Sequence, residues 1–587
     1  MECRVLSLLV LKGLSISLLR KCLHVYLLIS YPFLTLLNSL FSHKMRRLYS
    51  IGLTFFILRF NIRQMFWFFK LLDPRHRQLY HLRQAIRKTN TSQEWKQLAE
   101  TYEKTNKKLF GPSRGMDVVY DKDLIKKKKL QMSSHNKENM RDFMNSIRLD
   151  LTRNIGNIAK NNLHDHFLFI PDTILNYIAK VKEQLTIIKE SNIPQDEKLK
   201  FFLETRHSYG RTALLMSGGA SLGTFHMGIA KALFEHGLLP RIIAGTSVGA
   251  IIASIICIRT NEELAVVFQH LDKFDMGFFS EHTTINLVRH FIEKGHFQDD
   301  KHLIQKLKET LGDYTFLEAY ERTGRVLNVT VCPAETNETP RVLNFLTAPN
   351  VLIWSAVAAS SAMPGLFPSQ VIYTKSKQGL ELVPTDNIAD QYGRKWQDGS
   401  LQMDLPVNTL TEQFNCNYFI VSQCNPHILP ALNLKKIINP TFFKLLEHEF
   451  KHRCQQIQLI LPKWIPSKWL SLFTQSWEGD VTFLLPIMFY NPTRLITNPD
   501  LEQLIQSVKL GERQAWEHLW VIECNCAIES FLDDIVKEFS GSELSWGLDA
   551  ENVDSKTYDR HAGSTVPLVK VRSLNKLYND HLDFIDP

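Results

Sequence analysis

The sequence predicts an α/β fold with a mostly parallel sheet, flanked by a helical N-terminal domain and a largely helical C-terminal region. Three observations carry this expectation. Between residues 211 and 410, short β-branched apolar runs alternate with helical runs, as strands do when helices return the chain to the same sheet. Two of those runs, Arg211-Thr212-Ala213-Leu214-Leu215-Met216 and Arg241-Ile242-Ile243-Ala244, feed directly into glycine-bearing turns. Residues 73–205 instead read mainly as helix, with Gln93-Glu94-Trp95-Lys96-Gln97-Leu98 a clear example.

From the N-terminus, Leu23 to Phe41 is a 19-residue stretch without a formal charge, just long enough to cross a bilayer. His24, Pro32 and Asn38 weaken it as a span, and basic residues on both sides leave its orientation unread. Ile51, Phe55, Leu58, Ile62, Met65 and Phe69 then recur at helical spacing, interrupted by Arg59, Arg63 and Lys70. That pattern suits an amphipathic helix in a lipid interface, with a helix packed on a core as the alternative. Residues 1–72 are therefore expected to form a membrane or lipid-interface segment. No secretory signal is expected, because the first apolar run stops at Lys12.

The first strand leads into Ser217-Gly218-Gly219-Ala220-Ser221-Leu222-Gly223. Gly218 and Gly219 leave backbone N–H groups accessible, so this loop, with Gly223, can face an oxyanion. A phosphate-cradling loop is the alternative, but the spacing does not fit G-x-G-x-x-G and no G-K-[ST] follows. The second strand leads into Gly245-Thr246-Ser247-Val248-Gly249, and then the apolar run Ala250–Ile256. Strand, tight turn and helix form the setting of a nucleophile elbow, with Gly245 and Gly249 permitting the turn and Ser247 at a helix N-terminus. Downstream, Asp398 sits in Asp398-Gly399-Ser400, which by itself reads as an ordinary Asp-Gly turn.

These three segments, in this order, resemble the patatin-like phospholipase and lipase family. The resemblance implies a patatin-like three-layer α/β core and a Ser–Asp dyad, with Ser247 as nucleophile, Asp398 as base and Gly218 and Gly219 in the oxyanion loop. Ser360-Ser361-Ala362-Met363-Pro364-Gly365-Leu366-Phe367-Pro368 is similar to a family loop that lines the active site. Ala220 stands where the third glycine is usual, and Leu222 where a basic residue is usual.

Asp73–Tyr80, Trp477–Thr482 and Gly511–Trp516 resemble the triacylglycerol-lipase branch, which includes fungal lipid-droplet lipases and the plant seed-oil lipase. The expected division is an interface segment at 1–72, a helical domain at 73–205 and the catalytic domain at 206–410. A C-terminal extension at 411–540 and a mobile tail at 541–587 complete it.

The resemblance implies a serine acylhydrolase acting on triacylglycerol through an acyl-enzyme, with no cofactor and no metal. Its partners would be neutral lipid and a membrane or lipid-droplet surface, with the catalytic domain facing the cytosol. The same dyad would serve a phospholipase, a lysophospholipase or a lipid transacylase, and a scaffold that has lost catalysis is a further alternative. A Ser–His–Asp triad stays open too, with His427, His518 and His561 following Asp398.

Composition narrows the remaining classes. The 587 residues are 44% hydrophobic and 22% charged, as in ordinary globular proteins. A net charge of +9, spread along the chain, suits an anionic surface and is too diffuse to argue for nucleic acid. Nine scattered cysteines do not form a disulfide framework. His448-Glu449-Phe450-Lys451-His452 matches H-E-x-x-H, but its surroundings are those of a solvated helix and no third ligand is evident.

Overall fold

The computed structural model describes residues 73–110, 120–134, 139–158, 169–271, 277–280, 291–334, 338–375, 382–384, 395–435, 440–460, 468–486 and 495–540. The expected span Leu23–Phe41, the amphipathic stretch Ile51–Phe69 and the expected tail at 541–587 lie outside these residues. Among the described residues, no helix is long and apolar enough to cross a membrane. The chain divides into two units, Met1–His81 and Leu82–Pro587. The described part of the first is residues 73–81, which includes the start of helix α1 (Pro74–Ile86).

In the second unit, five further α-helices precede the sheet among the described residues: α2 (Ser92–Phe110), α3 (Lys122–Ser134), α4 (Met140–Asp150), α5 (Asp172–Glu190) and α6 (Gln195–Tyr209). The expected helical region is thus present. Four consecutive lysines, Lys126 to Lys129, lie on α3, where Lys128 pairs with the buried Asp150 at 2.8 Å.

The sheet has seven strands, and its main path runs β4-β3-β2-β1-β8-β9. These are β1 (Arg211–Met216), β2 (Ile242–Gly245), β3 (Val326–Pro333), β4 (Arg341–Leu343), β8 (Cys416–Gln423) and β9 (Val481–Leu484). All neighbours from β3 to β9 along this path are parallel. Short β4 and β7 (Trp396–Asp398) both pair antiparallel with β3. A separate hairpin joins β5 (Tyr373–Lys375) to β6 (Leu382–Pro384). Every residue of β2 and β3 is buried, and so is all of β1 but Arg211. Strands buried on both faces require a helical layer on each side, which makes the three-layer α/β sandwich.

Helix α7 (Thr224–Glu235) follows the glycine-rich loop, and α8 (Val248–Cys257) follows the Ser247 turn. Both are almost wholly buried, so their sequences are apolar nearly all round instead of amphipathic. Helix α12 (Ile353–Ser360) packs on α8 and β3. The 40-residue α17 (Leu501–Ser540) crosses α7 at backbone contact. A Cβ on Gly228 would stand 1.9 Å from the Val508 carbonyl oxygen, and one on Gly511 would stand 2.4 Å from that of Phe225. Only glycines allow this approach.

A buried ion pair ties the N-terminal helical region, the sheet and α17 together. The Arg153 guanidinium meets Glu529 at 2.6 Å and also donates to Asn417 on β8 and Thr212 on β1. Its plane lies over the rings of Tyr209 and Tyr418. Glu529 in turn accepts the Thr212 N–H at 3.0 Å, closing the start of β1. Removing one member of such a pair leaves the other charge buried and uncompensated. Glu529→Ala should therefore lower unfolding stability by about 3–5 kcal/mol, while an apolar replacement of both Arg153 and Glu529 should recover most of it. Denaturant titration of the three variants checks this.

Candidate active site

The site forms where the C-terminal ends of β1 and β2 meet the N-termini of the helices that follow, the usual place for a ligand in a parallel α/β sheet. Ser247 occupies the turn between β2 and α8 with φ 55° and ψ −126°, a conformation in which few non-glycine residues are found. Its neighbours must be glycines. A Cβ on Gly245 would lie 2.2 Å from the Gly249 carbonyl oxygen, and one on Gly249 would lie 2.2 Å from that of Met216. The Ser247 N–H donates to Ser360 Oγ at 3.0 Å, and Ser360 Oγ–H donates to the Thr330 carbonyl at 2.7 Å. The strained turn is thereby pinned to α12 and β3.

Asp398 ends β7 instead of sitting in a plain turn. Its N–H bonds the Ala362 carbonyl at 3.0 Å, and a 3₁₀ turn, Gly399–Leu401, follows. Its carboxyl is 2% exposed and accepts the Ser400 N–H at 2.8 Å. The Ser247 side chain lies close enough to the same carboxyl to lower its pKa, so the structure brings these two predicted residues together. Burial pushes the Asp398 carboxyl up to about 6, against the smaller opposing effects of the Ser400 N–H, the Ser400 hydroxyl and the Ser247 hydroxyl.

The glycine-rich loop passes over this pair. A Cβ on Gly218 would be 3.5 Å from Ser247 Cβ, and one on Gly223 would be 2.3 Å from Val248 Cγ2. Gly218 N–H, one of the two expected oxyanion donors, is engaged at 2.8 Å by Asp404 Oδ1. Gly219 N–H and Ala220 N–H have no partner among the described residues and are the amides free to receive an oxyanion. Ala220 holds φ 52°, the left-handed region that the usual glycine would occupy without strain.

Two residues that sequence reasoning did not single out support the loop. His226 on α7 is fully buried and held neutral, its pKa lowered by burial to about 4. The neutral ring must donate from Nε2 to the Ser217 carbonyl at 3.0 Å and accept at Nδ1 from the Ser422 hydroxyl at 2.6 Å. Asp404 is 1% exposed, and its only sequence signal was an acid six residues after Asp398, one of 60 acidic residues.

A cavity of about 50 Å³ opens at Ser247. Its apolar wall includes Ile251, Phe278, Phe279, Leu303, Leu366 and Phe367, and among the described residues its lining carries no charged side chain. Phe279 and Phe367 stack with centroids 6.1 Å apart. Asn498 clamps the Phe279 backbone, accepting its N–H at 2.9 Å and donating to its carbonyl at 2.7 Å. Ser221 N–H reaches Leu495 O at 3.1 Å, so the segment before α17 touches both the loop and the cavity wall.

The other candidates sit on other partners. His427 is half-buried and edge-on to Phe473, and His518 Nδ1–H donates to the Gln514 carbonyl at 2.8 Å while its ring faces Phe483. His561 lies outside the described residues. In the H-E-x-x-H helix α15 (Pro440–Ile460), Glu449 accepts from Arg453 at 2.9 Å and His452 bonds Gln456. Among the described residues, no group of three His, Cys, Asp or Glu could hold a metal ion.

Comparison with known proteins gives two family matches, a patatin-like phospholipase model over residues 214–411 and a domain of unknown function (DUF3336) over residues 73–207. Among curated proteins, a triacylglycerol lipase of Arabidopsis thaliana is 41% identical over 77% of this chain and 58% of its own length. Triacylglycerol lipase 4 of Saccharomyces cerevisiae is 34% identical over 77% of this chain and 52% of its own. A triacylglycerol lipase of Schizosaccharomyces pombe is 30% identical over 74% of this chain and 92% of its own. The chain thus spans a little over half the length of the first two.

If Asp398 is the base, only its ionised form accepts the Ser247 proton, so activity is present above its pKa and lost as pH falls through it. Hydrolysis of a soluble short-chain ester should reach half its plateau near pH 6, whereas a solvated carboxylate would place that midpoint at about 4. A pH–rate profile of kcat/KM reads the midpoint directly.

Proposed function

The chain belongs to the patatin-like phospholipase family, in the branch of the curated triacylglycerol lipases, and from that premise we propose that it is a serine acylhydrolase releasing fatty acids from triacylglycerol. The observation that carries the reading is the Ser247 hydroxyl on a strained elbow, beside a buried carboxyl and opening onto an apolar cavity that carries no charged side chain among the described residues.

In this mechanism Asp398 takes the hydroxyl proton as Ser247 Oγ attacks the ester carbonyl. Gly219 and Ala220 N–H receive the developing oxyanion, aided by the N-terminus of α8. Asp398 then returns the proton to the departing diacylglycerol oxygen, leaving an acyl-enzyme. Water, losing a proton to the same carboxylate, attacks the acyl carbon; Asp398 then passes that proton to the departing Ser247 Oγ, which frees the fatty acid and restores the hydroxyl.

Among the described residues the lining carries no charged side chain, which favours a neutral ester over a phospholipid, whose phosphate would call for a cation near the reacting carbonyl. The proposed division of labour is an interface segment at 1–72, a helical domain at 73–205, the catalytic domain at 206–410, and an extension at 411–540 that completes the cavity. Because triacylglycerol is insoluble, the enzyme would work at a membrane or lipid-droplet surface from the cytosolic side.

Fatty-acid release from emulsified triolein and from phosphatidylcholine vesicles tests this. Wild type should hydrolyse triolein in preference to the phospholipid, and Ser247→Ala should lose at least about 10⁴-fold of the rate. Equal or greater release from phosphatidylcholine would move the substrate class to phospholipids.

A further inference from the structure

Asp404 lies six residues beyond Asp398 and is as deeply buried, yet the acyl-transfer steps make no use of it. Its carboxyl oxygens divide between two segments. Oδ1 accepts Gly218 N–H at 2.8 Å, and Oδ2 accepts Asn425 Nδ2 at 2.6 Å. Its backbone engages two more. The Asp404 carbonyl accepts the Thr246 hydroxyl at 2.8 Å, next to the nucleophile, and its N–H donates to Gln475 Oε1 at 2.6 Å. Gln475 Nε2 then reaches the Ser400 carbonyl at 2.8 Å, just past Asp398. One residue is therefore bonded to the glycine-rich loop, the nucleophile turn and, through Gln475, the turn that follows the base.

The geometry points to Asp404 as a positioning residue for acyl transfer: by holding Gly218 N–H it fixes the height of the glycine-rich loop over Ser247, so that Gly219 and Ala220 N–H meet the oxyanion. The inference rests on the acylhydrolase reading of Ser247 and Asp398. Loop height matters because an oxyanion donor works only when it already stands at hydrogen-bond distance from the charge that develops. Gly218 N–H is a poor donor for that charge while a carboxyl occupies it, so its role passes to anchoring. Asn425 and Gln475, which hold Asp404 from the other side, both lie beyond residues 214–411. The C-terminal extension thus reaches the oxyanion loop through Asp404.

Burial pushes the Asp404 carboxyl up to about 7, with the N–H of Gly218 opposing and the neighbouring Asp398 adding to the rise. A carboxyl that is partly protonated near neutrality can still accept Gly218 N–H. This fits an acceptor function that does not depend on full charge.

The test uses the full chain and two readouts: kcat and KM on emulsified triolein, and the labelling rate of Ser247 by an alkyl fluorophosphonate, whose phosphoryl oxygen occupies the oxyanion position. Asp404→Ala, which removes the acceptor, should lower kcat and labelling by about 100-fold with KM little changed, as for a misplacement near 1 Å. Asp404→Asn keeps an acceptor for Gly218 N–H if the Asn425 amide reverses, and should stay within about tenfold of wild type.

If Asp404→Ala does not fold, Asn425→Ala takes its place, removing the bond to Oδ2; it should lower kcat about tenfold without raising KM. A folded Asp404→Ala with wild-type kcat and labelling overturns the inference, and so does Asp404→Asn falling as far as Asp404→Ala. In the substitute series, an unchanged kcat in Asn425→Ala overturns it. Wild type that fails to label at Ser247 would instead defeat the acylhydrolase reading.

Discussion

Keeping the Asp398 carboxyl out of water beside the Ser247 hydroxyl is the constraint around which the proposed site is arranged, because a carboxylate at its ordinary pKa of about 4 would be too weak a base for the proposed proton transfer. Burial raises the pKa, yet total isolation would leave the group neutral at working pH. The Ser400 N–H and hydroxyl offset part of the desolvation and hold the carboxyl near 6, where it is mostly ionised at neutrality. Burial needs walls. They come from β3, to which β7 is paired, and from the α12 loop, whose Ala362 carbonyl receives the Asp398 N–H.

The same need explains why segments distant in sequence converge here. A parallel sheet delivers the ends of β1 and β2 to one edge, and with them the glycine-rich loop and Ser247. It does not by itself fix the loop's height or close the cavity. Those tasks fall to Asp404, His226, Asn498 and Leu495, and three of the bonds involved reach β8 or the segment before α17. Helix α17 is in turn locked to α7 by the facing glycines 228 and 511, and to the N-terminal helices by Arg153 and Glu529. Stability of the outer helices and geometry of the site are therefore coupled through shared elements.

Much of this was legible in the sequence, for local reasons. The runs at 211–216 and 241–244 became β1 and β2 because β-branched and aliphatic residues ending in glycine have few other outcomes. The helix after Ser247 and the strand near 417–422 followed equally from short-range pattern. Asp398 was visible through family resemblance; its position at the end of a strand depends on a pairing with Val331 far back in the chain. Asp404 and His226 were not visible, since an acid near a proline and a histidine in an apolar helix become informative only when their partners, Gly218, Asn425, Ser217 and Ser422, are known. The engagement of Gly218 N–H likewise depends on a contact with a residue 186 positions away.

The most direct test of the central claim is identification of the covalent intermediate. Wild type quenched during turnover of triolein would be digested and analysed by mass spectrometry, alongside Ser247→Ala. The account predicts an oleoyl ester on the peptide containing Ser247, and no acylated peptide in the variant. An oleoyl group on another residue, or turnover that persists in Ser247→Ala, would contradict it.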